Sequence, residues 1–263
     1  MRNPPANSFR EGAYLHVSDL VYKCSRMIAL SKHLEQPIRG ESIMDSRGVT
    51  FATGHAIQAY VTERIKTNFG DMLWGDWTCE CGESLYRHTL YSEIPTTGCE
   101  SCGGKYEYLE TIWRSESLKL TGAVDLMLKL PSGHLYPIEV KSMAGSRWDD
   151  ITRPVPDHLI QALFYWHLIR ENGFPVIDQL SILYVKKEFV FGNPYKEMLV
   201  KPSDYENRLT DFMDEARALK AFREDDGSLP VRTVCSHPQS PGARECPFAL
   251  QCFAIDPPLE RDE

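Results

Sequence analysis

The stretch Leu118–Lys141 constrains this chain more than any other. It holds two runs in which apolar residues alternate with other types, joined by Pro131, Ser132 and Gly133. Alternation on both sides of such a turn predicts a β-hairpin. In the first run Val124, Leu126, Leu128 and Leu130 share one face, and Asp125 points the other way. In the second, Ile138 and Val140 share a face, with Glu139 and Lys141 together opposite. An Asp, a Glu and a Lys therefore meet at one end of the hairpin. Two carboxylates can hold a hard cation such as magnesium, and a neighbouring lysine can act on a water or a phosphate oxygen. That chemistry hydrolyses phosphodiesters. The same residues also describe a surface hairpin with an exposed Glu–Lys pair, which contributes little energetically.

The chain has 263 residues, enough for one large domain or two small ones. Its first twenty residues contain no apolar core segment, so no signal peptide is expected. The apolar run from Leu159 to Ile169 is too short for a bilayer and contains Gln161 and His167. The expectation is a cytoplasmic protein that uses no membrane. Its net charge of −8 argues against a broad basic surface for duplex DNA. A local groove remains compatible with it, because Lys119, Lys129, Lys141, Arg147, Arg153, Lys186 and Lys187 flank the hairpin residues in sequence. A solvated rim is the alternative for those charges.

Along the chain, residues 1–12 read as a loose arm. Ser18 is placed to cap a helix through Cys24 to about Lys32. A loop is expected at 35–47. A helix then runs from Gly48 to about Phe69, with Ile57, Val61 and Ile65 on one face and His55 near its start. After the hairpin, the loop 143–156 contains Arg147, Trp148 and Arg153. Trp148 is either a stacking platform for single-stranded nucleic acid or a loop anchor. A helix is predicted from Asp157 to Glu171, closed by Asn172 and Gly173. Leu159, Leu163, Trp166 and Ile169 form its apolar stripe, and Gln161 and Tyr165 lie one turn apart on another face. Strands follow at Gln179–Lys186 and 195–201. Ser203 and Glu206 form a capping box for a helix to about Phe222.

The eight cysteines of such a chain read as metal ligands rather than disulfides. Cys79 and Cys81, then Cys99 and Cys102, form two close pairs within the segment 74–110. This is ribbon spacing for a tetrahedral zinc site, with His88 as an alternative ligand. A small insertion without its own core needs such a staple. Cys24, alone in its helix, reads first as a buried hydrophobe. The tail segment 233–253, however, has three cysteines: Cys235, Cys246 and Cys252. An odd set needs a partner, and Cys24 is the one cysteine left. Four thiolates there suit an iron–sulfur cluster or zinc, and spacing does not choose between them.

In order along the chain, His55, Gly122-x-x-Asp125, Glu139-Val140-Lys141 and Gln161-x-x-x-Tyr165 resemble the motifs of RecB-type nucleases of the PD-(D/E)XK superfamily. Cys24-Ser25-Arg26 and the spacing of Cys246 and Cys252 further resemble the iron–sulfur subgroup. That subgroup includes CRISPR-associated RecB-like exonucleases and the AddB nuclease domain. The chain departs from the family at Ser25, where proline is frequent. It also departs in the ten residues between Cys235 and Cys246, which leave His237 as a substitute ligand. The cysteine ribbon lies outside the family pattern.

The resemblance implies an α/β, restriction-endonuclease-like core over residues 1–263, with a small mixed sheet flanked by helices and a ribbon inserted at 74–110. It implies that His55, Asp125, Glu139 and the Val140 carbonyl bind Mg²⁺ or Mn²⁺. Lys141 would orient the attacking water or stabilise charge on the phosphate, and Gln161 and Tyr165 would position Lys141 or the DNA. It further implies a 4Fe-4S cluster on Cys24, Cys235, Cys246 and Cys252. The implied activity is a metal-dependent DNA nuclease, mainly an exonuclease on single strands or DNA ends, acting in recombination, repair or replication, with protein partners there. Two alternatives stand beside it: a catalytically silent DNA-binding or assembly protein on the same fold, and a redox-regulated iron–sulfur protein.

Overall fold

The computed structural model describes residues 14–35, 46–188, 192–224, 228–232 and 234–255, with 46–51 described by backbone alone. The arm expected at 1–12, and most of the loop expected at 35–47, fall outside the described residues. The elements in chain order are β1 (Leu15–His16), α1 (Val17–Tyr22), α2 (Ser25–His33), α3 (Ser46–Phe69), β2 (Leu73–Cys79), β3 (Leu85–Leu90), β4 (Tyr106–Leu109), β5 (Thr111–Ser115), β6 (Leu120–Val124), β7 (Leu126–Lys129), β8 (Leu135–Met143), α4 (Pro156–Glu171), β9 (Leu180–Lys186), β10 (Tyr195–Val200), α5 (Glu206–Arg223), α6 (Pro241–Glu245) and α7 (Ala249–Ile255). The chain divides into two compact units. The larger comprises 43–115 and 121–206; the smaller comprises 1–42, 116–120 and 207–263.

The larger unit is built on a mixed sheet in the order β10-β9-β8-β7-β2-β3, with β4 also paired to β2. The predicted hairpin is β7 and β8, antiparallel in the register Leu126 to Ile138 and Leu128 to Tyr136. β8 and β9 run parallel. A parallel pair needs a long crossover, and α4 supplies it.

β8 is covered on both faces. Ile138 and Val140 pack in a core to which Ile57, Val61 and Ile65 of α3 belong. On the other side Lys141 meets Gln161 of α4. This overturns the reading of an exposed Glu–Lys surface pair: Glu139 is only 3 % exposed. An interior strand between two helices has no solvent face, so inside–outside alternation fails there.

α4 starts with Pro156 in its first turn and ends at Asn172, with Gly173 at φ +80° just beyond. It is buried nearly all round, and both Gln161 and Tyr165 lie inside with the predicted apolar stripe. Their face is therefore not ordinary polar surface. The segment 74–110 begins inside β2, whose Leu73 and Trp74 pair with Leu128 and Met127 of β7. From Asp76 to Cys79 the same strand pairs with β4. The cysteine ribbon is thus an outgrowth of the central sheet. The predicted capping box does not form, because Ser203 donates its N–H and its hydroxyl to Asp178, at 3.0 and 2.6 Å. A 3-10 turn, Pro202–Tyr205, precedes α5 instead.

In the smaller unit the single helix expected from Ser18 is two helices. Cys24 breaks it, with extended backbone (φ −63°, ψ 126°) at the N-cap of α2. Ser18 lies inside α1, and its hydroxyl pairs with His16 Nδ1 at 3.1 Å. Leu30, Phe248 and Cys252 form a small core, with Met27, Leu34, Leu229 and Cys246 packed against it. No helix among the described residues is long and apolar enough to cross a membrane.

Candidate metal-binding active site

Asp125 occupies a bend between β6 and β7, next to Leu126, whose partner in the β7–β8 register is Ile138, the neighbour of Glu139. The break between the strands turns its carboxylate onto backbone: Oδ2 accepts from the Val140 N–H at 2.7 Å. Oδ1 accepts from Gln58 Nε2 of α3 at 3.0 Å. Glu139 Oε1 accepts from Lys141 Nζ at 2.6 Å. Lys141 also donates to Gln161 Oε1 at 2.8 Å, and Gln161 Nε2 donates to the Tyr165 hydroxyl at 2.8 Å. Lysine has only donors, so the Gln161 amide must turn its oxygen to Lys141 and its nitrogen to Tyr165. The structure therefore joins Glu139, Lys141, Gln161 and Tyr165 in one chain of hydrogen bonds beside Asp125.

One atom in this set is unsatisfied. Glu139 Oε2 is buried and has no hydrogen-bond donor among the described residues. A buried carboxylate oxygen without a donor is costly, and a bound cation removes that cost. The charge pattern agrees. Burial, then the Glu139 charge, then Glu110, push the Asp125 carboxyl well above its ordinary range, against Lys141 and the Val140 N–H. Burial likewise raises Glu139, opposed by Lys141. A buried Glu139 and a half-buried Asp125 beside one lysine have an excess of negative charge, which fits a hard divalent ion. Tyr165 is held protonated by burial and by the Glu139 and Asp125 charges.

His55 is exposed. His55, Asp125 and Glu139 do not gather their ligand atoms within 4.8 Å of one another. The α3 side chain that reaches Asp125 is Gln58, one turn further on, which also donates to Glu110 at 2.6 Å. Gln58 and Glu110 were not among the sequence candidates. The i, i+3 relation of Gln58 to His55 was a usable signal; Glu110 had none.

His158 has the same relation to Gln161. Its Nδ1 pairs with the Tyr184 hydroxyl at 3.1 Å, and burial with the Lys141 and Arg147 charges lowers its pKa to about 3. It therefore stands neutral beside Lys141. Trp148 is buried, with Lys196 Nζ over its ring and bonded to its carbonyl. It anchors the loop and offers no open face for a base to stack on.

Cys79, Cys81, Cys99 and Cys102 bring their sulfurs within 4.8 Å of one another. The one-residue gap of the first pair is accommodated by Gly82 at φ +75°, whose N–H closes a turn on the Cys79 carbonyl at 2.9 Å. Gly103 at φ +69° does the same for Cys99 at 2.7 Å, and the Gly104 N–H points at Cys102 Sγ. Cys79 has its pKa lowered to about 6, chiefly by the Cys81 thiol, so it is ready to act as a thiolate ligand. His88 is not in this group. Its ring packs against those of Trp74 and Trp113, which also contact each other, and its backbone N–H donates to Asp76.

Cys24 is no isolated hydrophobe. Burial raises its pKa most, and the Cys235 and Cys252 charges add to it. Cys246 is raised by burial and by Cys24, Cys235 and Cys252. All four cysteines of the smaller unit therefore share one neighbourhood, Cys235 included. Arg26 Nε donates to Cys252 Sγ at 3.1 Å. No three of these sulfurs lie mutually within 4.8 Å, so the set is wider than the ribbon's. The Nδ1 of His237, the alternative ligand, already accepts from the Gln239 N–H.

No known protein family matches the chain by profile. No curated protein matches it in sequence. Among solved structures it is similar to an alkaline exonuclease from Laribacter hongkongensis, at 9 % identity and a TM-score of 0.48, over 81 % of this chain and 89 % of that one. It is also similar to the protein SSO0001, at 16 % identity and a TM-score of 0.46, over 94 % and 89 %.

Proposed function

We propose that this protein is a metal-dependent DNA nuclease of the RecB type, acting on single strands or DNA ends. The observation that carries the reading is the buried, donor-less Glu139 Oε2 beside the Asp125 carboxylate, in a set that leads through Lys141 and Gln161 to Tyr165. Asp125, Glu139 and the Val140 carbonyl would hold Mg²⁺ or Mn²⁺, and His55 of α3 would complete the set only by moving toward them. The ion supplies an acidified water and charge neutralisation at the phosphate. Lys141, held by Glu139 and Gln161, stabilises the charge that builds on the phosphate oxygens. Gln161 fixes the lysine ammonium, and Tyr165 fixes Gln161. Neutral His158 lies near both Lys141 and Arg147, and the nucleic-acid backbone would lie along these charges.

The two cysteine sets are supporting elements in this proposal. With Zn–S bonds of about 2.3 Å, a tetrahedral site has sulfur edges of about 3.8 Å. The Cys81–Cys99 separation is 3.8 Å, while Cys79 and Cys81 stand 2.8 Å apart and would open by about 1 Å to take zinc. The wider set at Cys24, Cys235, Cys246 and Cys252 suits a 4Fe-4S cluster, whose thiolates stand much further apart than those on one zinc. The Arg26 N–H on sulfur is the kind of donor that tunes such a site.

The test is cleavage of end-labelled single- and double-stranded DNA with Mn²⁺, comparing wild type with Lys141→Ala. Cleavage that the variant loses supports the enzyme. DNA binding without any wild-type cleavage would leave the silent binding protein as the better reading.

A further inference from the structure

Gln58 stands between two carboxylates. Its Nε2 donates one hydrogen to Glu110 Oε1 at 2.6 Å and the other to Asp125 Oδ1 at 3.0 Å. Both hydrogens of the amide are thereby committed. Glu110 is exposed at the end of β4, and Gln58 is half-buried on α3. Oδ2 of Asp125 is already tied to the Val140 N–H. The Gln58 bond is what fixes the second oxygen and so the rotation of the whole carboxylate. Without Glu110, the amide has one anchor instead of two and is free to turn its oxygen toward Asp125, where it would repel. With Glu110 present, that flip costs a strong charge-assisted hydrogen bond.

We propose that Glu110 and Gln58 form a positioning relay for Asp125: Glu110 locks the Gln58 amide, and the amide holds Asp125 aimed at the cation. This rests on the reading of Asp125 and Glu139 as the cation site. Glu110 does not share that site as a ligand, since its carboxylate does not join Asp125 and Glu139 within 4.8 Å. Its negative charge also favours a cation nearby. Outer partners of a metal ligand commonly matter by about 10- to 100-fold in affinity.

The test is Mn²⁺ binding to the full chain, followed by the electron paramagnetic resonance of free Mn²⁺. The variants are Asp125→Asn, Gln58→Met, Glu110→Gln and the Gln58→Met/Glu110→Gln double. Methionine keeps the length and helix preference of Gln58, so the fold is kept and thermal melting verifies it. The expected result is that Asp125→Asn abolishes tight binding, while each relay variant weakens it about tenfold. The double variant should be no weaker than Gln58→Met by more than the modest effect of one distant charge, because Glu110 acts through the amide. kcat at saturating Mn²⁺ should change far less than the Mn²⁺ concentration needed for half activity. Unchanged binding in Asp125→Asn overturns the cation site and the relay with it. Loss in Asp125→Asn with no change in Gln58→Met or Glu110→Gln overturns the relay alone. Fully additive losses in the double variant overturn it as well, since independent residues would give that result.

Discussion

The backbone N–H of Val140 donates to Asp125 Oδ2 over 2.7 Å, joining the middle of β8 to the bend between β6 and β7. That bond holds one carboxylate in place next to a second, Glu139, which lies on the same strand as the donor. Unpaired strands would let the two repel one another apart; the β7–β8 register holds them together. The site therefore stores unfavourable electrostatics that a cation relieves.

This arrangement predicts that Asp125→Asn raises stability when no divalent ion is present. Both carboxyls have folded-state pKa values above their ordinary range. A raised carboxyl binds its proton more tightly folded than unfolded, so stability falls as pH rises from the ordinary carboxylate range through the raised value. In buffer free of Mg²⁺ and Mn²⁺, the variant should exceed wild type by about 1 kcal/mol at neutral pH. The gap should narrow as pH falls. Urea denaturation across pH measures it; a variant less stable than wild type at neutral pH contradicts the prediction. The same variant should show no stabilisation by Mn²⁺.

Tyr165→Phe removes the acceptor of the Gln161 amide without changing shape. A buried N–H left without a partner costs about 1–3 kcal/mol. Without the Tyr165 oxygen the amide is held less firmly against Lys141. Cleavage should therefore fall about tenfold at saturating DNA and Mn²⁺, each kcal/mol of misplacement costing rate directly. Single-turnover cleavage is the measurement. A change confined to DNA affinity would place Tyr165 on the substrate and not on the lysine.

Cys99→Ser should release one metal ion per chain from the ribbon, read by elemental analysis, and lower the melting temperature. Strand β2, which carries the ribbon ligand Cys79, continues into the central sheet, so the loss should reach the sheet. Hydrogen exchange in β2 should rise from Cys79 inward and fade toward Leu73. Loss of protection confined to 81–102 would show the ribbon and sheet to be uncoupled.

Loading of the second cysteine set should depend steeply on pH. Burial and neighbouring cysteines raise Cys24 and Cys246 above the ordinary thiol range, so without metal these thiols hold their protons at neutral pH. Binding must expel them, and iron reconstitution should improve as pH rises toward that range. Anaerobic reconstitution followed by visible absorbance measures it, with Cys252→Ser as the variant that should stay colourless. Equal loading across pH would mean that the thiols are not protonated in the apo set.

Much of the site was legible because it is local. Glu139 and Lys141 are two apart on a strand and lie on one face, and they meet at 2.6 Å. Gln161 and Tyr165 are four apart on a helix and meet at 2.8 Å. The paired ribbon cysteines follow from their spacing in the same way. Such periods are properties of the backbone and need no partner element. Where the reading failed, a distant residue competed for the group. Ser203 had a local capping role open to it, but Asp178 takes its hydroxyl. For Trp148 two readings stood open, stacking platform and loop anchor, and its burial under Lys196 favours the anchor.

The sequence by itself therefore determined which strand carries the carboxylate and lysine, which helix carries their amide and phenol partners, and which cysteines form groups. Only the tertiary structure decided that the Glu139–Lys141 pair is buried, because burial depends on α3 and α4 covering both faces of β8. It alone decided that Gln58 is the α3 side chain on Asp125, because helix rotation is set by packing Ile57, Val61 and Ile65 against the sheet. It also brought in Glu110, from a chain segment whose position depends on how β4 pairs with β2. Long-range pairing chooses among faces that local periodicity leaves equivalent.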